Sequence, residues 1–130
     1  MPSNGERNTF EREGRTFSHL LKAAAVINRG VIVVLDAGAA KAGAAGAGLV
    51  AVGIAEESAD QPAGDTHVKA KLGCFLLANS ATDAIAAADV GSDCFVEDDI
   101  TVAKTDDTGS LSRAGKVRAL SDGGVWVEFD

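Results

Sequence analysis

Residues Gly30–Asp36, "GVIVVLD", form a β-branched and aliphatic run closed by Gly at one end and by Asp-Ala-Gly at the other. A stretch this short, apolar at each interior position, reads as a strand covered on both faces. The same pattern recurs along the chain. In Leu49–Ala55, "LVAVGIA", Val50, Val52 and Ile54 share one face and small residues the other. His67–Ala78 alternates, with Val68, Ala70, Leu72 and Cys74 inward and His67, Lys69 and Lys71 toward water. Asp93–Val96, Thr101–Lys104, Gly115–Leu120 and Val125–Phe129 complete the predicted strands, and Asp122-Gly123-Gly124 fits a tight hairpin turn between the last two. Short strands at this spacing predict a mainly β fold, a small β-barrel or sandwich of tulip-like form.

Three segments depart from the strand pattern. Residues 1–18 are polar and lack either period, with Phe10 and Phe17 as their apolar side chains, so they read as an extended arm ahead of a β-rich domain at 19–130. Ala37–Gly48, "AGAAKAGAAGAG", reads as a low-complexity loop whose side chains are too small to build a core. Ser80 and Asp83 have capping-box-like spacing ahead of "AIAAADVG", which predicts one short helix ending near Gly91.

Composition limits how stable such a fold is. Of the 60 apolar residues, 24 are Ala, and Ala and Gly together occupy 39 of the 130 positions. A monomer with so few large apolar side chains is marginal, and oligomerisation buries more surface. The net charge is −7, but residues 1–29 hold five Lys/Arg against three Glu while residues 30–130 hold seven against sixteen Asp/Glu. An acidic body argues against nucleic acid as the ligand, because affinity for phosphate comes from Lys and Arg. The cationic excess of residues 1–29 suits an acidic protein surface. No apolar core of a signal peptide and no run of membrane-spanning length occurs, so no membrane association and synthesis in a cytoplasm are expected.

Residues with chemical potential are few. Cys74 and Cys94 lie beside Phe in apolar runs and read as buried thiols, and His19 and His67 make no ligand pair. Asp107, in "DDTGS", carries the letters around the catalytic aspartate of retropepsin-like aspartic proteases, which act as homodimers with one Asp per subunit. Its approach, Lys104-Thr105-Asp106, is charged where that chemistry needs a buried strand end. Asp36 does end an apolar strand, but Ala37 replaces the bracing Thr. Glu97, Asp98 and Asp99 lack the alternating oxygens and central Gly of a calcium loop and read as a turn, so no metal or cofactor is expected. The glycines at 43, 46 and 48 come without the Lys-Ser/Thr of a nucleotide loop, and Lys41 lacks the apolar flanks of a carrier lysine.

With catalysis set aside, the order of elements is the remaining signal. "ADVGSDCFVEDDITVAKTDDTGSLSRAGKVRALSDGGVWVEFD", preceded by "GVIVVLD", "GLVAVGIAEE" and "KLGCFLLA", resembles the capsid decoration (cement) proteins of tailed bacteriophages over about residues 20–130. The resemblance implies a non-enzymatic virion protein on the outer capsid surface. It would bind the major capsid protein of an expanded icosahedral head as homotrimers at threefold or quasi-threefold sites, stabilising the shell against packaged DNA. Under that reading Arg7, Phe10, Arg12, Arg15 and Phe17 are the expected capsid contacts and Trp126 an expected subunit contact. A retropepsin-like homodimer using Asp107 or Asp36 is the alternative.

Overall fold

The computed structural model describes residues 5, 6, 9 and 14–130. Twelve strands run in chain order as β1 (Thr16–Leu20), β2 (Val26–Ile27), β3 (Ile32–Asp36), β4 (Ala39–Ala42), β5 (Val50–Ala55), β6 (Ala59–Asp60), β7 (His67–Lys71), β8 (Gly73–Asn79), β9 (Asp93–Val96), β10 (Thr101–Ala103), β11 (Arg113–Ser121) and β12 (Gly124–Phe129). They form a five-stranded sheet in the order β1-β7-β5-β3-β4, a closed barrel in the order β10-β8-β12-β11-β9, and a small β2-β6 ribbon. The predicted mainly β, barrel-containing fold is the one observed.

Two apolar clusters fill these layers. Inside the barrel, Leu77, Ile85, Cys94, Val96, Val102, Ala114, Val117, Val125, Val127 and Phe129 pack together and are joined by Ile32, Val34 and Ile54 from one face of the sheet. The opposite face supplies Val33, Ala40, Ala55, Val68 and Ala70 to a second cluster with Leu21, Ala25, Ile27, Val31 and Ala59. Ile32, Val33 and Val34 are each fully buried, so β3 is covered on both sides as its sequence predicts. In β12, Val125, Val127 and Phe129 face the core and Trp126 and Glu128 face outward, which is the period of a half-buried strand.

One barrel strand can only be built around a missing side chain. A Cβ on Gly115 would stand 2.1 Å from the carbonyl oxygen of Glu128, and β11 shifts register against β9 between Arg113 and Gly115. Glycine at this position lets β11 and β12 close on each other.

Five expectations need correction besides the facing of β5, where a register shift against β3 sends Val52 toward the sheet's own cluster and Ile54 into the barrel's, while Val50 is exposed. First, the predicted helix before Gly91 is absent apart from a single 3-10 turn at Ala87–Asp89. The Ser80 hydroxyl does accept from the Asp83 N–H at 3.0 Å. The Asp83 carboxylate, however, accepts from the Thr105 backbone at 2.9 Å and its hydroxyl at 2.6 Å. The Asn79 amide accepts from Ile85 N–H at 2.8 Å and donates to its carbonyl at 2.9 Å, holding Ile85 in the barrel core. Side-chain bonds to the backbone have displaced helical ones. Second, the Ala/Gly segment is not all loop. Ala37 and Gly38 take φ of 51° and 90°, the pair of positive values a tight β-hairpin needs, and β4 follows. Ala40 is fully buried, and its carbonyl accepts from Lys22 N–H at 2.8 Å. In so thin a layer, alanine fills the space.

Third, His67–Ala78 is not one strand but two. β7 belongs to the sheet and β8 to the barrel, with the crossing at Leu72. Fourth, that crossing resets which side faces inward, so Val68 and Ala70 are buried but Cys74 is exposed rather than buried. Fifth, the expected arm overlaps the fold. Thr16, Phe17 and Ser18 are already in β1, paired with Lys71, Ala70 and Lys69.

Candidate interaction surface

The sheet and the barrel meet along a cleft of about 380 Å³ lined by Arg29, Gly30, Ile54, Ala55, Glu56, Lys71 and Phe75. Ile54 comes from β5 and Phe75 from β8, so the two bodies each contribute one apolar wall. Arg29 is placed by the turn before β3, where its N–H donates to the Ser58 hydroxyl at 3.0 Å. Lys71 ends β7 opposite both Thr16 and Ile54. Arg15 arrives from the start of β1, where its carbonyl accepts from Leu72 N–H at 2.7 Å.

A different surface lies on the outside of the barrel. Trp126 pairs with Leu76 of β8 on one side and with Ala119 of β11 on the other, and Trp126 and Leu76 are 37% and 46% exposed. An aromatic and an aliphatic side chain side by side in water form a compact apolar strip. It is bordered by charges that neutralise one another. Arg118 Nε donates to Glu128 at 2.6 Å, Arg113 reaches Asp93 at 3.0 Å and Asp130 at 2.8 Å, and Lys116 lies 3.6 Å from Asp93. The guanidinium of Arg113 holds the carboxyls of Asp93 and Asp130 below the usual carboxylate range.

The expected contact residues divide among these regions. Arg7, Phe10 and Arg12 lie outside the described residues. Arg15 is exposed at the cleft end of β1, and Phe17 is half-buried in β1 opposite Ala70. Trp126 is on the exposed barrel strip.

The acids weighed for catalysis have local partners. Asp107 and Thr108 take φ of 49° and 54° on an exposed turn, and the Asp107 carboxylate accepts from the Ser110 hydroxyl at 3.2 Å. Asp36 ends β3 but faces cations. Hydrogen bonding to Lys22 lowers its pKa, with Lys22 and Lys41 charges adding to the effect. Lys41 therefore sits within a strand and 3.8 Å from a carboxylate, not at a hairpin tip. Asp107, Asp83 and Glu97 line a second cavity of about 560 Å³. Thr105 holds Asp83 there, and the Ser80 hydroxyl donates to Glu97 at 2.6 Å. Asp98 accepts from Ile100 N–H at 2.9 Å, as a turn residue does. Among the described residues no cluster of three or more His, Cys, Asp or Glu has the arrangement to hold a metal ion.

The two thiols differ sharply. Cys94 is fully buried with its Sγ–H donating to the Gly115 carbonyl at 3.5 Å, and burial pushes its pKa up to about 11. It therefore stays protonated and unreactive at neutral pH. The cleft was not legible in the sequence, because its residues come from positions 15 to 75 and meet only when sheet and barrel pack. A usable hint was the pair Lys69 and Lys71 on one strand face of an otherwise acidic body.

Comparison of the chain with models of protein families, with curated proteins and with solved structures found no match.

Proposed function

We propose that this protein is a capsid decoration protein of a tailed bacteriophage, binding the outside of the expanded head as homotrimers and holding neighbouring major capsid subunits together. The observation that carries the reading is the order of short strands and glycine turns over residues 20–130. To this the fold adds a β1 at one end of the sheet order, so that the N-terminal segment, with three Arg and three Glu, joins the domain at a sheet edge. A segment leaving an edge strand is suited to adding itself to a strand of a neighbouring protein. Such a role needs no reacting group. Binding only the expanded lattice stabilises that lattice by mass action, and many copies on one shell multiply a modest local affinity. Trp126 and Leu76 supply an apolar strip of the kind that subunit contacts bury.

Co-sedimentation with expanded and unexpanded heads of the source virus tests the proposal. Saturable binding to expanded heads, in multiples of three per threefold position, is expected. Binding to neither form overturns it. Deleting residues 1–13, which leaves β1 whole, is expected to weaken head binding while the circular dichroism spectrum and melting temperature stay unchanged.

A further inference from the structure

The geometry points to the cleft between sheet and barrel as a docking site for an acidic, extended segment of a protein partner. The floor of the cleft is apolar, with Ile54 and Phe75, while Arg29 and Lys71 stand on its rim and Glu56 is the one carboxylate among its lining residues. Arg15 reaches the same place. A Cβ on Gly73 would lie 3.1 Å from the Arg15 guanidinium and 3.5 Å from the Phe75 ring. Lys69 shares the outward face of β7 with Lys71.

What sets these cations apart is that none forms an ion pair with a described residue, in a chain rich in carboxylates. Ten Lys/Arg fall among the described residues, and Lys22, Lys41, Arg113, Lys116 and Arg118 form ion pairs there. Of the five without an ion pair to a described residue, Arg29 and Lys71 line this cleft, Arg15 stands beside its Phe75, Lys69 lies two residues from Lys71 on the same face of β7, and Lys104 is elsewhere. Arg15, Arg29 and Lys71 beside a partly apolar wall outnumber Glu56, repel one another and concentrate a positive field, which a ligand with several carboxylates relieves. The apolar floor adds a place for one aliphatic or aromatic side chain of that ligand. A nucleic acid fits less well, because its continuous phosphates would also meet the acid-rich remainder of the body. The inference rests on the decoration reading only for the source of the segment, which would then belong to the expanded shell.

The test uses the full-length protein and a short fluorescent peptide of Glu and Asp around one central Leu, followed by anisotropy at low salt. Saturable binding is expected, weakened about tenfold by Lys71→Glu or Arg29→Glu and little changed by Lys104→Glu, which makes the same charge change away from the cleft. The peptide with Gln and Asn in place of its acids is expected not to bind. Equal weakening by Lys104→Glu, or no binding at all, overturns the assignment. Stronger binding of tripolyphosphate than of the peptide would assign the cleft to phosphate instead and also overturn it. So would a fall in oligomer mass for Lys71→Glu without peptide binding, since the occupant would then be a second copy. Head co-sedimentation separates the two proposals. Peptide binding without head binding sinks the decoration reading alone, and head binding that survives Lys71→Glu overturns the shell as the segment's source.

Discussion

The two apolar clusters of this protein are built from different residues. Five of the ten residues in the cluster beneath the sheet are Ala, whereas the barrel cluster has one Ala among thirteen. At roughly 25 cal/mol for each Å² of apolar surface buried, the barrel side chains supply far more of the stabilisation. The sheet offsets this by sending Ile32, Val34 and Ile54 into the barrel's cluster. The cations differ as well: those of β11 are neutralised on the barrel wall, while on the sheet side Lys22 and Lys41 pair with Asp36 and Arg29, Lys69 and Lys71 have no ion pair to a described residue. The difference teaches that the barrel holds most of the large apolar side chains, and that the thinner sheet side reaches the same core only by leaning on it.

The largest test of that asymmetry is Phe129→Ala. It removes the largest side chain of the barrel cluster and its ring contact with Phe75 at 6.3 Å, and is expected to cost about 3–5 kcal/mol in urea unfolding. Val33→Ala, on the sheet's other face, is expected to cost about 2 kcal/mol. In that variant the sheet amides should exchange faster while Cys94, inside the barrel, remains closed to a thiol reagent until global unfolding. Equal acceleration in both bodies would show one cooperative unit and break the comparison.

Acid should act on the fold in two stages, the first confined to the sheet. Partial burial lowers the pKa of His19, on β1, below its ordinary 6.5, so the unfolded chain takes up the proton first and stability declines as pH falls below that value. The barrel's Asp93 and Asp130 are lowered from 3.8 by Arg113, and the sheet's Asp36 by Lys22. Their contribution is whole above 3.8 and is lost as pH falls through their folded values. Melting temperatures measured from pH 7 to 3 are therefore expected to fall in two stages, and His19→Gln should remove the first. The smallest effect concerns the β3–β4 turn. Ala37 holds a φ of 51°, and Ala37→Gly is expected to raise stability by about 0.5–1 kcal/mol in thermal melts.

The strands were the legible part. "GVIVVLD" and "GVWVEF" each have a pattern that one strand satisfies on its own, and each appears where the pattern puts it. β4 was not legible, because alanine marks no buried face until the neighbouring layer is seen to be close. The helix expected at 80–91 failed for a related reason. Its cap bond formed, but Asn79 and Thr105, placed by β8 and by the segment after β10, took the backbone and the carboxylate that a helix would have used. The cleft was the least legible feature.

By itself the sequence determined the β class, the alternation within β7 and β12, the acidic excess of the body and the turn at "DDTGS", because these depend on side-chain chemistry within a few residues. Tertiary structure alone decided that β7 and β8 part company at Leu72, that Cys74 faces outward, and that Arg15, Arg29, Lys71 and Phe75 share one cleft. Those outcomes depend on how the sheet packs on the barrel, and packing joins residues whose separation along the chain carries no mark of their meeting.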